Sequence, residues 1–191
     1  MPKEIAHLTI AKKVFQRLPS TSLFHTPIRQ YFNIFLYGSV APDTPFYYII
    51  GPYSKQIQSL AAPLHTPDSS SLVPTLNFLK HFPKNNSDAL AFAAGVCCHI
   101  LSDTIFHPLV YYFSGLDSIH KGATTRHRIF ETAMDVYFWS LGGNKKNFSL
   151  YHISKALNIS EKRLIHLFKH LFHFENNNSK KYMGVALKSH Q

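Results

Sequence analysis

Residues 89–107, ALAFAAGVCCHILSDTIFH, hold one formally charged side chain, Asp103, set midway between His99 and His107. The run carries no alternation of apolar and polar residues and is too long for a strand, so it reads as a helix. On an α-helix four residues turn the face by only about 40° and climb about 6 Å. His99, Asp103 and His107 therefore form a polar ridge on a helix that is otherwise apolar. Such a helix belongs inside a body built from other helices. A carboxylate buried there costs of order several kcal/mol unless a partner or a cation compensates it.

The rest of the chain is compatible with that surrounding. Residues 3–18 place Ile5, Leu8, Val14 and Leu18 close to one face, which predicts a first helix. Thr26 and Pro27 open a second over IRQYFNIFLYG, closed by Gly38. The segment SVAPDTPFYYIIGPYS carries Pro42, Pro45 and Pro52 and predicts an ordered loop or a short broken element. TPDSSS is a turn before a helix over about LVPTLNFLKHF. Ser87 and Asp88 are read as the cap of the long helix, which runs from about Ala89 and is kinked or ended at Pro108. A second long helix follows over about Thr124–Leu141, then shorter ones near 150–157 and 160–173. The expectation is an all-α fold, a multi-helix bundle. Residues 1–145 form its helical domain, 146–175 a helical extension packed on it, and 176–191 a polar, loosely ordered tail.

The chain has 191 residues and a formal net charge of +10, which favours anionic partners such as nucleic acid or phospholipid headgroups. Its only cysteines, Cys97 and Cys98, are neighbours in the long helix and read as small core residues. The N-terminus does not resemble a leader, and no segment approaches about 20 uninterrupted apolar residues. The expected location is the cytoplasm, with at most peripheral contact with a membrane.

A second polar ridge lies on the second long helix, where His127, Glu131 and Asp135 recur every four residues. An i, i+4 histidine–carboxylate pair leans over one helical turn and chelates a divalent ion. Two such helices packed together supply ligands from both sides. The competing reading is a buried network in which the histidines and carboxylates only bond one another. The zinc-protease string His-Glu-x-x-His is absent, as is any His-Asp doublet, and only EIAH at 4–7 has the Glu-x-x-His form of di-iron bundles.

Five stretches, MPKEIAHLTIAKKV, YGSVAPDTPFYY, LAAPLH, GVCCHILSDTIFHP and RHRIFETAMD, in this order and spacing, resemble the zinc-dependent phospholipase C family, which is related to fungal zinc single-strand nucleases. The resemblance covers roughly residues 2–140. It implies a helical zinc phosphodiesterase holding two to three Zn2+ ions between its helices. Carried over, the ligands are His7, Asp43, His65, His99, Asp103, His107, His127 and Glu131. By analogy Asp43, His65, His99 and Asp103 surround one ion, and His107, His127 and Glu131 another. His7, Asp103 and the N-terminal amine bind a third. Asp43 is the candidate to orient or deprotonate the attacking water. Secreted members place six steps between the aspartate and the next histidine, whereas Asp103 and His107 are four apart, as in an unsecreted bacterial branch.

The implied activity is release of a phosphorylated headgroup from a phospholipid. Two alternatives differ in substrate or class. One is a zinc nuclease acting on single-stranded nucleic acid. The other is a DNA-binding protein that uses ISKALNISEKRLIHLF, residues 153–168, as a helix-turn-helix, leaving the histidines structural. A metal-binding protein without catalysis is a further alternative. HLFKHLFHF, with His166, His170 and His173, reads as an amphipathic helix with partly exposed histidines, or as an accessory metal site.

Overall fold

A computed structural model describes residues 4–66, 68–116, 119–141, 161–174 and 177–190, and no strand occurs among them. The first helix, α1, spans Glu4–Arg17. The single helix expected after Pro27 is two, α2 (His25–Gln30) and α3 (Phe32–Gly38), broken at Tyr31, whose φ of −122° and ψ of 46° leave the helical region. The proline-rich segment makes a 3-10 turn over Ala41–Tyr47, and α4 (Ser54–Ser59) and α5 (Val73–Lys80) follow. The two long helices are α6 (Ser87–Ser114) and α7 (Ala123–Leu141). The chain ends in α8 (Glu161–Phe172) and α9 (Asn177–His190).

Helix α6 is the axis of the fold. Helices α1, α2, α3, α5 and α7 all pack on it. Its N-cap is Asn86, whose Oδ1 accepts from the Ala89 amide at 3.2 Å, not the Ser87–Asp88 pair. Asp88 is instead held in a two-bond ion pair by Arg163, at 2.7 and 2.8 Å. The helix also runs past Pro108 to Ser114 rather than ending near His107. Pro108 and Thr104, whose carbonyl loses its helical partner there, are both exposed, so water can serve that oxygen. Beyond them Val110 and Ser114 are fully buried and hold the continuation in place.

By length and mean composition α6 could cross a membrane, although His99, Asp103 and His107 interrupt its apolar run. More than half of its most apolar window is buried by neighbouring helices, so it serves as a core helix. Phe92, Val96 and Ile100 meet Phe35, Tyr37, Phe78 and Phe168 in one continuous core.

Glycines let α3 and α6 approach closely. A Cβ on Gly95 would fall far inside contact with the Phe35 carbonyl oxygen, and one on Gly38 would do the same at Phe92. The approach brings the end of α3 against the middle of α6, where the polar ridge begins.

The segment expected to be a loosely ordered tail is helical. Met183, Ala186 and Leu187 on α9 are buried, and α9 packs on the 3-10 turn. Tyr182 stacks on Tyr48 with ring centroids 5.3 Å apart. On α8, Leu164, Ile165, Leu167, Phe168, Leu171 and Phe172 are buried. The first half of the helix-turn-helix-like stretch, and the helix expected near 150–157, lie outside the described residues.

Candidate metal centre

All eight sequence-derived candidates converge where α1, the 3-10 turn and the loop at His65 meet α6 and α7. Three sets of ligand atoms each lie within 4.8 Å of one another: His7, Asp43 and His99; His65, His99 and Asp103; His107, His127 and Glu131. His7, Asp43, His99, Asp103 and Glu131 are buried, and His65, His107 and His127 half-buried.

Backbone carbonyls fix which way two of these imidazoles face. His99 Nδ1 donates to the Ser39 carbonyl at 3.0 Å, a bond available because the glycine contact brings α3 onto α6. His65 Nδ1 donates to the Ala61 carbonyl at 2.8 Å. With the proton on Nδ1, each neutral ring turns a bare Nε2 lone pair into the cluster. That atom of His65 lies 3.0 Å from Asp43 Oδ1, and that of His99 lies 3.3 Å from Asp103 Oδ2. The two Nε2 atoms are 3.4 Å apart. Lone pairs at such distances repel unless a positive charge lies among them. A histidine whose far nitrogen donates to a carbonyl is also the usual arrangement of a metal-bound imidazole.

Two more groups have polar atoms without a hydrogen bond. Both oxygens of Asp103 and both nitrogens of His7 are buried without a hydrogen-bond partner among the described residues, although His7 Nε2 is 3.4 Å from Asp103 Oδ1. His107 Nε2 is in the same condition. Buried polar atoms are rarely left so. Orphaned oxygens and nitrogens aimed at common space, with a donor set of imidazole and carboxylate, fit Zn2+.

Electrostatics describe the same charge imbalance. Burial lowers the His99 pKa, but Asp103 and Asp43 outweigh it and raise the ring to about 9. For His7, which stacks on His99 with centroids 4.0 Å apart, burial dominates, the His99 charge adds to it, and the pKa drops to about 3. Burial lowers His107. It would raise Asp43 and Asp103, yet the charge of His99 keeps both below the usual carboxylate range. A proton shared around two carboxylates occupies the position a cation would take.

On the far side, His127 Nε2 and Glu131 Oε1 are 2.7 Å apart on one turn of α7. His107 faces His127 from α6, with centroids 5.9 Å apart, and Tyr111 lies against both rings. Phe46 lies against His65 at 5.3 Å. The N-terminal amine of the expected third site is outside the described residues.

Asp135, the last member of the second ridge, does different work. Its carboxylate accepts from the amides of Ala6 at 3.0 Å and Ile5 at 3.3 Å, so α7 caps the start of α1. That contact positions His7, one residue further on. Sequence reasoning missed this role, and those of Ser39, Ala61, Gly38 and Gly95. Only the two glycines carried a sequence signal, as small residues on helix faces that must meet.

Residues 6–173 match the family model described as zinc dependent phospholipase C. No curated protein and no solved structure matches the chain.

Proposed function

The chain belongs to the zinc-dependent phospholipase C family, a family of zinc hydrolases, and from that premise we propose that it releases phosphorylated headgroups from phospholipids. The observation that carries this reading is the cluster's orphaned charge: the buried oxygens of Asp103 and the nitrogens of His7 have no hydrogen-bond partner among the described residues, and a cation between them would compensate them.

We assign two to three Zn2+ ions to it. His99 has one nitrogen to give, since Nδ1 is taken by Ser39, so the two sets that share it cannot each hold an ion through that ring. Our assignment gives His65, His99 and Asp43 to one ion, with Asp103 Oδ2. Asp103 Oδ1 and His7 serve a second, and His107, His127 and Glu131 another. Zinc bound there would lower the pKa of coordinated water to about 7 and polarise the phosphoryl oxygens.

The chain's own groups supply position and proton handling. Asp43 Oδ1 lies 3.0 Å from His65 Nε2 at the edge of the cluster, and we assign it the role of orienting a water and accepting its proton. Asp103, between His7 and His99, is placed to hold ions rather than to exchange protons. The carbonyls of Ser39 and Ala61 keep the rings of His99 and His65 in register.

Exposed apolar side chains that follow Asp43 in the chain favour phospholipid over nucleic acid. Phe46 borders His65, and Ile49 and Ile50, a few residues on, are 71 % and 89 % exposed. Exposed isoleucines do not stack on bases, but they do partition into acyl chains. The net charge of +10 supports the alternative nuclease reading equally well. The test is side-by-side hydrolysis of phosphatidylcholine vesicles, single-stranded DNA and a chromogenic phosphodiester by the zinc-loaded protein. Release of phosphocholine, with DNA intact, is the expected result. DNA cleavage with lipid untouched would transfer the assignment to the nuclease class.

A further inference from the structure

The loop between the 3-10 turn and α4 turns two adjacent apolar side chains outward. Ile49 and Ile50 are the exposed pair, and Gly51, Pro52 and Tyr53 beside them are exposed as well. Both isoleucines would gain by leaving water.

The loop is braced in this shape. Tyr48, directly before the pair, is buried, and its carbonyl accepts from Gln58 Nε2 at 3.0 Å. The Gly51 carbonyl accepts from the Ser54 amide at 3.3 Å. Gly51 has a φ of 141°, and a Cβ there would fall far inside contact with the Tyr48 hydroxyl oxygen. Tyr53, at φ 62°, lies in the left-handed region where α4 opens. Tyr182 of α9 holds both ends of the loop, its ring centroid 5.3 Å from that of Tyr48 and 5.7 Å from that of Tyr53. A tip fixed in this way presents its isoleucines without the ordering cost that a loose loop pays on binding.

Positive charge lies beside the same anchor. Lys181 Nζ sits over the Tyr182 ring, 5.7 Å from its centroid. Lys55 is exposed in the first turn of α4. Lys181 also lines, with Lys162, Lys169, Lys180 and Lys188, a cavity between α8 and α9. Glu161, the one acid on that cavity among the described residues, pairs with Lys188 at 3.6 Å.

We propose that the Ile49–Ile50 tip enters a bilayer containing anionic phospholipid while Lys55 and Lys181 meet its phosphate groups. The proposal deepens the phospholipid reading and rests on it for the bilayer's being substrate. Asp43 comes six residues before Ile49. Four of those steps follow the 3-10 turn, at about 2 Å each, so the two Cα atoms are no more than about 15 Å apart. A docked tip therefore keeps the metal cluster close to the headgroups. A protein partner fits the tip less well, because two side chains cover far less than the about 800 Å² per partner of a stable protein interface.

The test is sedimentation with sucrose-loaded vesicles, either phosphatidylcholine alone or equal parts phosphatidylcholine and phosphatidylserine. It compares zinc-loaded wild type with the double variants Ile49→Ser, Ile50→Ser and Lys55→Gln, Lys181→Gln. Wild type should bind the mixed vesicles more tightly than phosphatidylcholine alone, and salt should weaken that binding. The isoleucine variant should bind the mixed vesicles about 10–100-fold more weakly, and the lysine variant roughly 10–30-fold. Both should keep the wild-type zinc content and urea midpoint, since all four side chains are exposed. Unchanged binding by the isoleucine variant would overturn the tip, and equal binding to both kinds of vesicle would overturn the basic contact. Self-association that the isoleucine variant loses, with no vesicle binding, would overturn the proposal in favour of a second copy of the chain. Wild type that sediments with vesicles but releases no headgroup would support the docking and overturn the phospholipase reading, so the two fail separately.

Discussion

Gly95→Ala and Gly184→Ala are the same substitution on two helices, and the structure assigns them opposite signs. At Gly95 an added Cβ would sit 2.8 Å from the Ser39 nitrogen and closer still to the Phe35 carbonyl oxygen. Both neighbours are backbone, so α3 as a whole must retreat. Reaching an ordinary contact of 3.4 Å at Ser39 needs a shift of roughly 0.6 Å, and Phe35 demands more. The same retreat draws the Ser39 carbonyl from the His99 ring, taking their 3.0 Å bond to the limit of hydrogen bonding. Overpacking of this kind costs about 1–3 kcal/mol, and the lost bond about 1 kcal/mol more. Alanine's better helix propensity returns about 0.5–1 kcal/mol. The net is a loss of about 1–3.5 kcal/mol. At Gly184 the nearest atoms are 3.8 and 3.9 Å from the added Cβ, so only the propensity gain of about 0.5–1 kcal/mol remains. Urea unfolding of the metal-free proteins measures both. Zinc competition against a chromogenic chelator then reads the centre, where Gly95→Ala should bind about 10–100-fold more weakly through its loosened ring. A Gly95→Ala protein as stable as wild type, with unchanged zinc affinity, would refute the helix approach as the device that orients His99.

Asp103→Asn preserves shape and removes the charge at the centre of the imidazoles, so bound zinc, read by elemental analysis, and hydrolysis should disappear together in a folded protein; retention of either refutes the assignment. Metal-free protein should be most stable near pH 6.5. Below that value the unfolded chain protonates His7 while the fold keeps it neutral down to about pH 3, so stability falls with acid. Above it the fold retains a proton on His99 up to about pH 9 that the unfolded chain has released, so stability falls with base. Each slope is about 1.4 kcal/mol per pH unit, and a flat urea midpoint between pH 5 and 9 would contradict both. Asp135→Ala should cost about 1–2 kcal/mol by uncapping α1 and should weaken metal binding at His7, with urea unfolding and zinc stoichiometry as the measurements.

Much of this architecture is legible in the sequence because it follows from local periodicity. The ridges at His99–Asp103–His107 and His127–Glu131 need only the helical repeat, and α7 lies close to its expected range. What could not be read depends on contacts distant in sequence. Asp135 looks like a third ridge member until α1 is seen to begin against it, about 130 residues away. Asn86 rather than the Ser87–Asp88 pair caps α6, and Asp88 instead pairs with Arg163, far along the chain. Pro108 reads as a stop unless the exposure of Thr104 is known. The C-terminal helix α9 lacks a strong apolar stripe in sequence and gains its order from burying Met183 and Leu187 against the 3-10 turn that carries Asp43.

The eight residues gathered around Asp103 come from chain positions as far apart as 7 and 131. A cation seated among them acts as a knot that ties several loops, each of roughly 20–35 residues, at one point. Until those loops have closed no such point exists, so loading can only follow folding. Once loaded, the knot resists opening of any one of them. Withdrawal of the ion by a chelator should thus slacken α1, the 3-10 turn and the α6–α7 pair together, and amide exchange should quicken across all of them at once.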